Sequence, residues 1–333
     1  MKILLSSYHN PHFITITEYI EFAIRKLNHE LIRFDDRQHL VPGRIRNRIK
    51  FLERFDLQNI NRKFISLALD TKPDLVIVAG GHRIQAKSIK ILNDYNIKTV
   101  LWTIDAPVNF NPIISVANFY DHVFCGGTEA QEIFKKKGIW KTNWLPFGCA
   151  PEFHRPVTLS SKEKMRYKKD IVFVGSFYPN RWQILKELKE FEIGIWGPNW
   201  AKVNNASSDR FSIHSVQLKH KEWTKIFAAA KIVLILHFND GKTLCYQASP
   251  KVYEALACNS FALVDKQKDV FSLFENKKHL VSFDNISDLK KKIIYYLQNA
   301  KEREKIAASG YKEVLKKHTY IHRIRHILSI INA

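Results

Sequence analysis

Ser249-Pro-Lys-Val-Tyr-Glu-Ala-Leu-Ala-Cys-Asn-Ser-Phe-Ala-Leu-Val-Asp265 reads as a capped helix running into a buried strand. Ser249 is a good N-cap, and Pro250 suits the first helical position, where a missing N–H costs nothing. The pattern predicts that the helix stops near Asn259 and that a strand covers Phe261 to Val264. The helix N-terminus then points at the loop that follows an earlier apolar run, Ile232 to Leu236. Free backbone N–H groups and the positive end of the helix dipole make such a point an anion site. Lys251 adds a full charge where a diphosphate would lie, and Glu254, about one turn in, is placed to accept hydrogen bonds from ribose hydroxyls. The competing reading is a well-capped helix whose Glu254 is merely solvated.

Working outward, short apolar runs alternate with helical patterns along the whole chain, the mark of βαβ units around a parallel sheet. In the first half the expected strands are Lys2 to Leu5, Leu31 to Phe34, Leu75 to Val78, Thr99 to Thr103, His122 to Cys125 and Asn143 to Leu145. Thr17 to Leu27, Ile84 to Tyr95 and Thr128 to Lys137 are expected helices between them. The pattern restarts at Asp170-Ile-Val-Phe-Val-Gly-Ser176, with further strands expected at Ile193 to Trp196, Ile232 to Leu236, Phe261 to Val264 and Leu280 to Phe283. The expected organisation is a Rossmann-like domain over 1–155, a polar linker over 156–169, a second Rossmann-like domain over 170–315 and a terminal helix over 316–333. A length of 333 residues accommodates two α/β cores of ordinary size.

Hydrophobic residues make up 45% and charged residues 26%, which excludes a disordered or fibrous chain. Cys125, Cys149, Cys245 and Cys258 form no Cys-x-x-Cys pair, so a reduced, cytoplasmic setting is expected rather than a zinc or disulfide framework. No apolar run reaches the length that spans a bilayer, and the apolar start at Ile3-Leu4-Leu5 is too short for a secretory signal. The formal net charge of +21 favours polyanions, anionic membrane surfaces and phosphorylated ligands as partners. Arg44, Arg46, Arg48, Lys50, Arg54, Arg62 and Lys63 stand among Ile45, Ile49, Phe51, Leu52 and Phe55, so Arg37 to Lys63 reads as a basic amphipathic helix. Such a helix suits lipid headgroups at the inner membrane face or a negatively charged acceptor, against the plainer reading of a solvated helix packed on its own domain.

Two smaller motifs accompany these. Phe173-Val-Gly-Ser-Phe-Tyr-Pro-Asn-Arg181 is a strand ending in Gly175 and Ser176, with Arg181 placed to clamp a phosphate at the start of the next helix. Trp196-Gly197-Pro-Asn-Trp200 offers backbone and aromatic contacts to a nucleobase, or else core aromatics beside a turn.

Phe-Val-Gly-Ser-x-Tyr-x-x-Arg181, Ser249-Pro-Lys-Val-Tyr-Glu-Ala-Leu-Ala-Cys258, Tyr295-Tyr-Leu-x-Asn, Arg303-Glu-x-Ile-Ala and His318-Thr-Tyr-x-His-Arg323 occur in this order. Together they resemble the CgeB-type glycosyltransferases, closely from Asp170 onward and more loosely through Leu101-Trp-Thr-Ile-Asp105, His122-Val-Phe and Trp144-Leu-Pro-Phe-Gly148. The resemblance implies the GT-B fold: two doubly wound Rossmann-like α/β domains facing a cleft, with the C-terminal helix crossing back to the first. It implies a nucleotide-diphosphate sugar as co-substrate, no cofactor and no catalytic metal. The donor would meet Gly175, Ser176, Arg181, Trp196, Gly197, His237, Asn239, Lys242, Ser249, Pro250, Lys251, Val252 and Glu254. One departure concerns the Glu-x7-Glu pair of related retaining enzymes, since Tyr246 stands at the first position and only Glu254 remains.

By the rule that functional loops lie at the carboxyl ends of strands, the acceptor side falls to three loops of the first half. Asp105, His82 and His9, in that order, are the candidate bases for an acceptor hydroxyl. The expected activity is transfer of a sugar to a glycan, lipid-linked or protein-linked hydroxyl. The alternatives are a glycosyltransferase acting on nucleic acid and a catalytically silent nucleotide-sugar-binding module.

Overall fold

Leu75-Val-Ile-Val-Ala79 is buried along its whole length, as a central strand covered on both faces must be. In the computed structural model, which describes residues 1–46, 48–105, 109–203 and 210–332, it is the third of twelve strands, β1 to β12. The chain divides into two compact units, Met1–Pro146 together with the chain from Arg323 on, and Phe147–His322.

The first unit holds β1 (Lys2–Ser7), β2 (Glu30–Asp35), β3 (Leu75–Ala79), β4 (Lys98–Thr103), β5 (His122–Cys125) and β6 (Thr142–Trp144). All pairings are parallel, in the order β2-β1-β3-β4-β5-β6. The helices are α1 (Ile16–Lys26), α2 (Gly43–Arg46), α3 (Lys50–Thr71), α4 (Ala86–Asp94), α5 (Phe110–Ala117) and α6 (Thr128–Lys136). α1 begins at a capping box in which Thr15 and Glu18 satisfy each other's backbone N–H groups. One core joins the sheet to the helices through Val76, Val78, Phe64, Ile89, Phe110 and Phe134. Each such side chain contributes about 1.5–3 kcal/mol by leaving water.

The second unit holds α7 (Ser161–Tyr167), β7 (Lys169–Val174), α8 (Pro179–Leu185), β8 (Ile193–Gly197), β9 (Phe211–Ser215), α9 (His220–Ala229) and β10 (Ala230–Ile235). It continues through α10 (Pro250–Ala257), β11 (Ala262–Asp265), α11 (Lys268–Leu273), β12 (Val281–Phe283), α12 (Ile286–Gln298) and α13 (Ala300–Lys317). Its strands are again all parallel, in the order β12-β11-β10-β7-β8-β9. Both sheets are doubly wound, as the alternation of patterns led one to expect.

α14 (Tyr320–Ile331) starts in the second unit and from Arg323 on belongs to the first. Within the first unit the Arg323 Nε donates to Pro146 O at 2.8 Å, the Lys98 Nζ donates to Ile331 O at 2.7 Å, and Ile324, Ile327 and Ile331 are buried.

Three local expectations differ from the structure. The basic stretch Arg37 to Lys63 is not one helix: α2 covers four residues and α3 begins only at Lys50. Pro42, lacking the N–H a helix interior needs, stands just before α2 and bars a helix running through from Arg37. Residues 156–169, expected to be a polar linker, contain α7, started by a Ser160–Glu163 capping box. β9 went unread because its residues are only half-buried or exposed, as befits an edge strand, and carry no apolar run.

Candidate functional site

In the second unit the chain runs outward from β7 to β8 and β9, then returns to place β10 on the other side of β7. The carboxyl ends of β7 and β10 are therefore the switch point of the sheet, where crossovers leave in opposite directions and open a crevice. Arg181 stands there. Its Nε donates to Leu236 O at 3.1 Å and its Nη1 to Ser176 O at 2.9 Å, so one guanidinium ties the two strand ends together. The rings of Tyr178 and Phe173 lie 4.8 and 5.5 Å from it. Burial lowers its pKa from the ordinary guanidinium value, and no carboxylate pairs with it among the described residues.

Gly175 and Gly197 bring two strand ends into close approach. Gly197 has a φ of +151°, and a Cβ on it would meet Gly175 O at 2.0 Å. Trp200 also donates its Nε1–H to Gly175 O, at 2.8 Å. Trp196 is buried with its ring stacked on His214, centroids 4.8 Å apart. Its aromatic face is spent on His214, its partner in the neighbouring edge strand β9. Its main chain accepts Gly175 N–H at 2.9 Å.

His237 follows β10 and is 2% exposed. Its Nδ1 lies 2.5 Å from Asp265 Oδ1, and its backbone N–H donates to Asp265 Oδ2 at 2.9 Å. Its Nε2 is buried and finds no partner among the described residues. A carboxylate that holds one ring nitrogen sets the tautomer and leaves the other nitrogen for a ligand. The dyad lines an open cavity of about 530 Å3 together with Asn239, Thr243, Gln267 and Asn285, within the size range of small-molecule sites. Asp265 was not read as a site residue. Its only sequence signal is its place at the carboxyl end of a strand.

Asn239 and Lys242 belong to a loop folded on itself. Asn239 Oδ1 accepts Gly241 N–H, and Asp240 accepts from the backbone N–H groups of Lys242 and Thr243 and from the Thr243 hydroxyl. Those three bonds hold the Asp240 carboxyl down at about 2.

Ser249 caps α10 as expected, its Oγ accepting Lys251 N–H at 3.3 Å, with Pro250 in the first turn and Val252 fully buried. Lys251 and Glu254 are paired with each other, three residues apart on one helix face. The Lys251 ammonium also sits 4.7 Å over the Trp223 ring. Burial alone would raise the Glu254 carboxyl, but the Lys251 and His154 charges and the Lys251 hydrogen bond outweigh it and hold it below its usual value. His154 and Trp223 were not anticipated, since they lie far from Glu254 in sequence. The expected donor residues thus fall into an Arg181–Gly175–Gly197 turn cluster, a His237–Asn239 cavity and a Lys251–Glu254 pair.

In the first unit the order β2-β1-β3 puts the switch point between β1 and β3, and the loops after those strands carry His9 and His82. His82 Nε2 meets Asp105 Oδ2 at 2.6 Å, which brings together two of the expected bases. Both are part-exposed; Ala106, Pro107 and Val108, which follow, lie outside the described residues. His9 instead meets Glu21 Oε1 at 2.6 Å, and Glu21 also receives Arg33 at 2.6 Å. The hydrogen bond to Glu21 raises the His9 pKa against the opposing effect of burial. Asp36, after β2, is a residue the sequence reading missed. It is 5% exposed, its Oδ1 has no partner among the described residues, and burial pushes it up to about 6 despite Arg37 and Arg83. Among the described residues no group of three or more His, Cys, Asp or Glu side chains is placed to hold a metal ion.

Comparisons with known proteins agree with this architecture. Residues 181–329 match the family described as glycosyl transferase-like. The spore protein CgeB of Bacillus subtilis (strain 168) is 23% identical over 263 residues, 75% of this chain and 80% of the relative. Among solved structures, HepE of Anabaena in complex with UDP superposes with a TM-score of 0.69 at 12% identity, covering all of both chains. Sucrose-phosphate synthase from Thermosynechococcus elongatus does so with a TM-score of 0.71 at 9% identity, covering 100% of this chain and 98% of that one. The chain is therefore similar to the CgeB-type glycosyltransferases, with two Rossmann-like domains of the GT-B type and a glycosyl transferase-like domain over residues 181–329.

Proposed function

We propose that this chain transfers a sugar from a nucleoside diphosphate donor to a hydroxyl of a glycan, lipid-linked or protein-linked acceptor. The observation that carries the reading is the His237–Asp265 dyad, which lines a small-molecule-sized cavity beside the switch point of the second sheet and in which the histidine keeps a buried, unpartnered Nε2. A buried polar atom without a partner costs stability unless a ligand completes it. In this reading His237 Nε2 hydrogen-bonds a sugar or phosphate oxygen, and Asp265 is its positioning residue.

The N-terminus of α10 receives the diphosphate. Lys251 exchanges Glu254 for a phosphate oxygen, which frees the Glu254 carboxylate for ribose hydroxyls. Arg181 holds the two strand ends in register and adds positive potential at the crevice. In the first unit His82, oriented by Asp105, takes the acceptor proton, with His9 as the second candidate. The acceptor oxygen then bonds to the anomeric carbon as the bond to the diphosphate breaks. Positioning and the fixed positive groups carry the rate enhancement, so the proposal requires neither a divalent ion nor a cofactor.

UDP sugars come first because a structure similar in fold holds UDP. A thermal-shift series with UDP, GDP, dTDP and CMP sugars, read beside donor hydrolysis, tests the reading. We expect one donor class to raise the midpoint, Lys251→Ala to abolish that rise, and His237→Ala to slow hydrolysis at least about tenfold. Failure of every donor to bind or be hydrolysed would sink the proposal, and an unchanged shift in Lys251→Ala would remove that residue from the site. Tyr246 at the missing carboxylate position favours a second reading, a silent nucleotide-sugar-binding module, which predicts stabilisation without hydrolysis. The charge of +21 favours a third, a nucleic-acid acceptor, which predicts steeply salt-dependent duplex binding.

A further inference from the structure

Five of the fifteen large hydrophobic side chains exposed among the described residues fall within one short segment of the first unit. They are Leu40 (56%), Ile45 (49%), Ile49 (47%), Phe51 (74%) and Phe55 (50%). Arg44, Arg48, Lys50, Arg54, Arg62 and Lys63 are exposed in the same stretch, with Glu53 the single exposed carboxylate there among the described residues. Phe51 and Phe55 share one face of α3, four residues apart.

These side chains are held outward by the fold. Asp56, fully buried, accepts from His39 Nδ1 at 2.6 Å, from Leu40 N–H at 2.8 Å and from Arg46 Nη1 at 3.3 Å. One carboxylate therefore binds the Leu40 loop and α2 to α3. The core-facing side of α3 is already occupied, since Ile60, Phe64 and Ala68 fill the core of the first sheet. The apolar groups of residues 40–55 consequently have no place within their own unit.

We propose that residues 40–63 form a peripheral docking surface for an anionic lipid bilayer. The apolar side chains enter the headgroup boundary while the surrounding cations reach lipid phosphates, the division of labour of an interfacial amphipathic segment. Charge decides between occupants. A second copy would bring the same six cations face to face, and a nucleic acid would pair the cations while leaving the five apolar groups in water. No helix among the described residues is long and apolar enough to cross a membrane, so the contact is superficial. The surface deepens the reading of a lipid-linked acceptor but rests on none of the donor residues, and vesicle binding is read without any donor.

The test is co-sedimentation of the full chain with vesicles of phosphatidylcholine alone and of phosphatidylcholine mixed with phosphatidylglycerol. The chain is expected to bind the mixed vesicles only. Binding should fall at least about tenfold in Phe51→Ser/Phe55→Ser and become undetectable in Arg44→Gln/Arg48→Gln/Arg54→Gln. All of these side chains are exposed, so the variants should keep the circular dichroism of the parent. Absence of binding to mixed vesicles overturns the proposal, as does undiminished binding of the phenylalanine variant. Binding to duplex DNA that survives loss of the two phenylalanines but not of the three arginines, with no vesicle binding, assigns the surface to nucleic acid instead.

Discussion

Asp36 is a carboxyl that the folded chain holds at an unfavourable place. Its pKa rises from 3.8 to about 6, chiefly because burial penalises the charge. An acid raised on folding binds its proton more tightly in the folded state. Its cost is therefore absent below 3.8, grows through the window up to about 6, and is complete above it. The difference between about 6 and 3.8 corresponds to about 3 kcal/mol at neutral pH. Asp36→Asn should stabilise the chain near neutral pH and lose that advantage below 3.8, which urea midpoints measured across the window will show. Gly197 makes the opposite point. Alanine there brings a Cβ to 2.0 Å from Gly175 O at a φ of +151°, so Gly197→Ala should cost about 2–4 kcal/mol in denaturant unfolding.

At the scale of elements, the N-terminus of α10 carries two separable properties. Ser249→Ala removes the bond from Lys251 N–H and should cost about 1 kcal/mol of stability. Ser249→Asp keeps a capping oxygen, so stability should be retained, but it sets a negative charge where a diphosphate would lie. If the helix end is the anion site, the aspartate variant should lose donor-induced thermal stabilisation while unfolding like the parent. Equal stabilisation in the two proteins would separate the cap from the site. The cap itself was readable in advance, because Ser249, Pro250 and the following apolar pattern act within one turn of each other. The break between α2 and α3 was less readable, since no proline or glycine stands between Arg46 and Lys50 to mark it.

At the scale of the molecule, the last eleven residues belong to the unit that the first 146 build. Arg323 joins the chain's end to Pro146, His326 joins it to the ring of Phe124 and Ile331 to Lys98, while Ile324, Ile327 and Ile331 are buried. Removal of residues 323–333 should therefore loosen the first sheet and leave the second nearly untouched. Amide exchange should accelerate in peptides covering β4 and β5 but not in those covering β10 and β11. Equal acceleration in both sheets would contradict the division. A sequence pattern announced a terminal amphipathic helix here, yet nothing in its periodicity says which sheet it covers.

Strand and helix periods, the Ser249 cap, the glycine turn at Gly175 and the excess of positive charge were determined by the sequence alone. These are properties of neighbouring residues, and they suffice for two doubly wound sheets. Only the tertiary structure decided that His237 meets Asp265, that His82 meets Asp105, and that Trp196 stacks on His214 of the neighbouring strand. The two His–Asp pairings join strand ends 28 and 23 residues apart in the chain, and no local periodicity encodes which ends the sheet order will bring side by side.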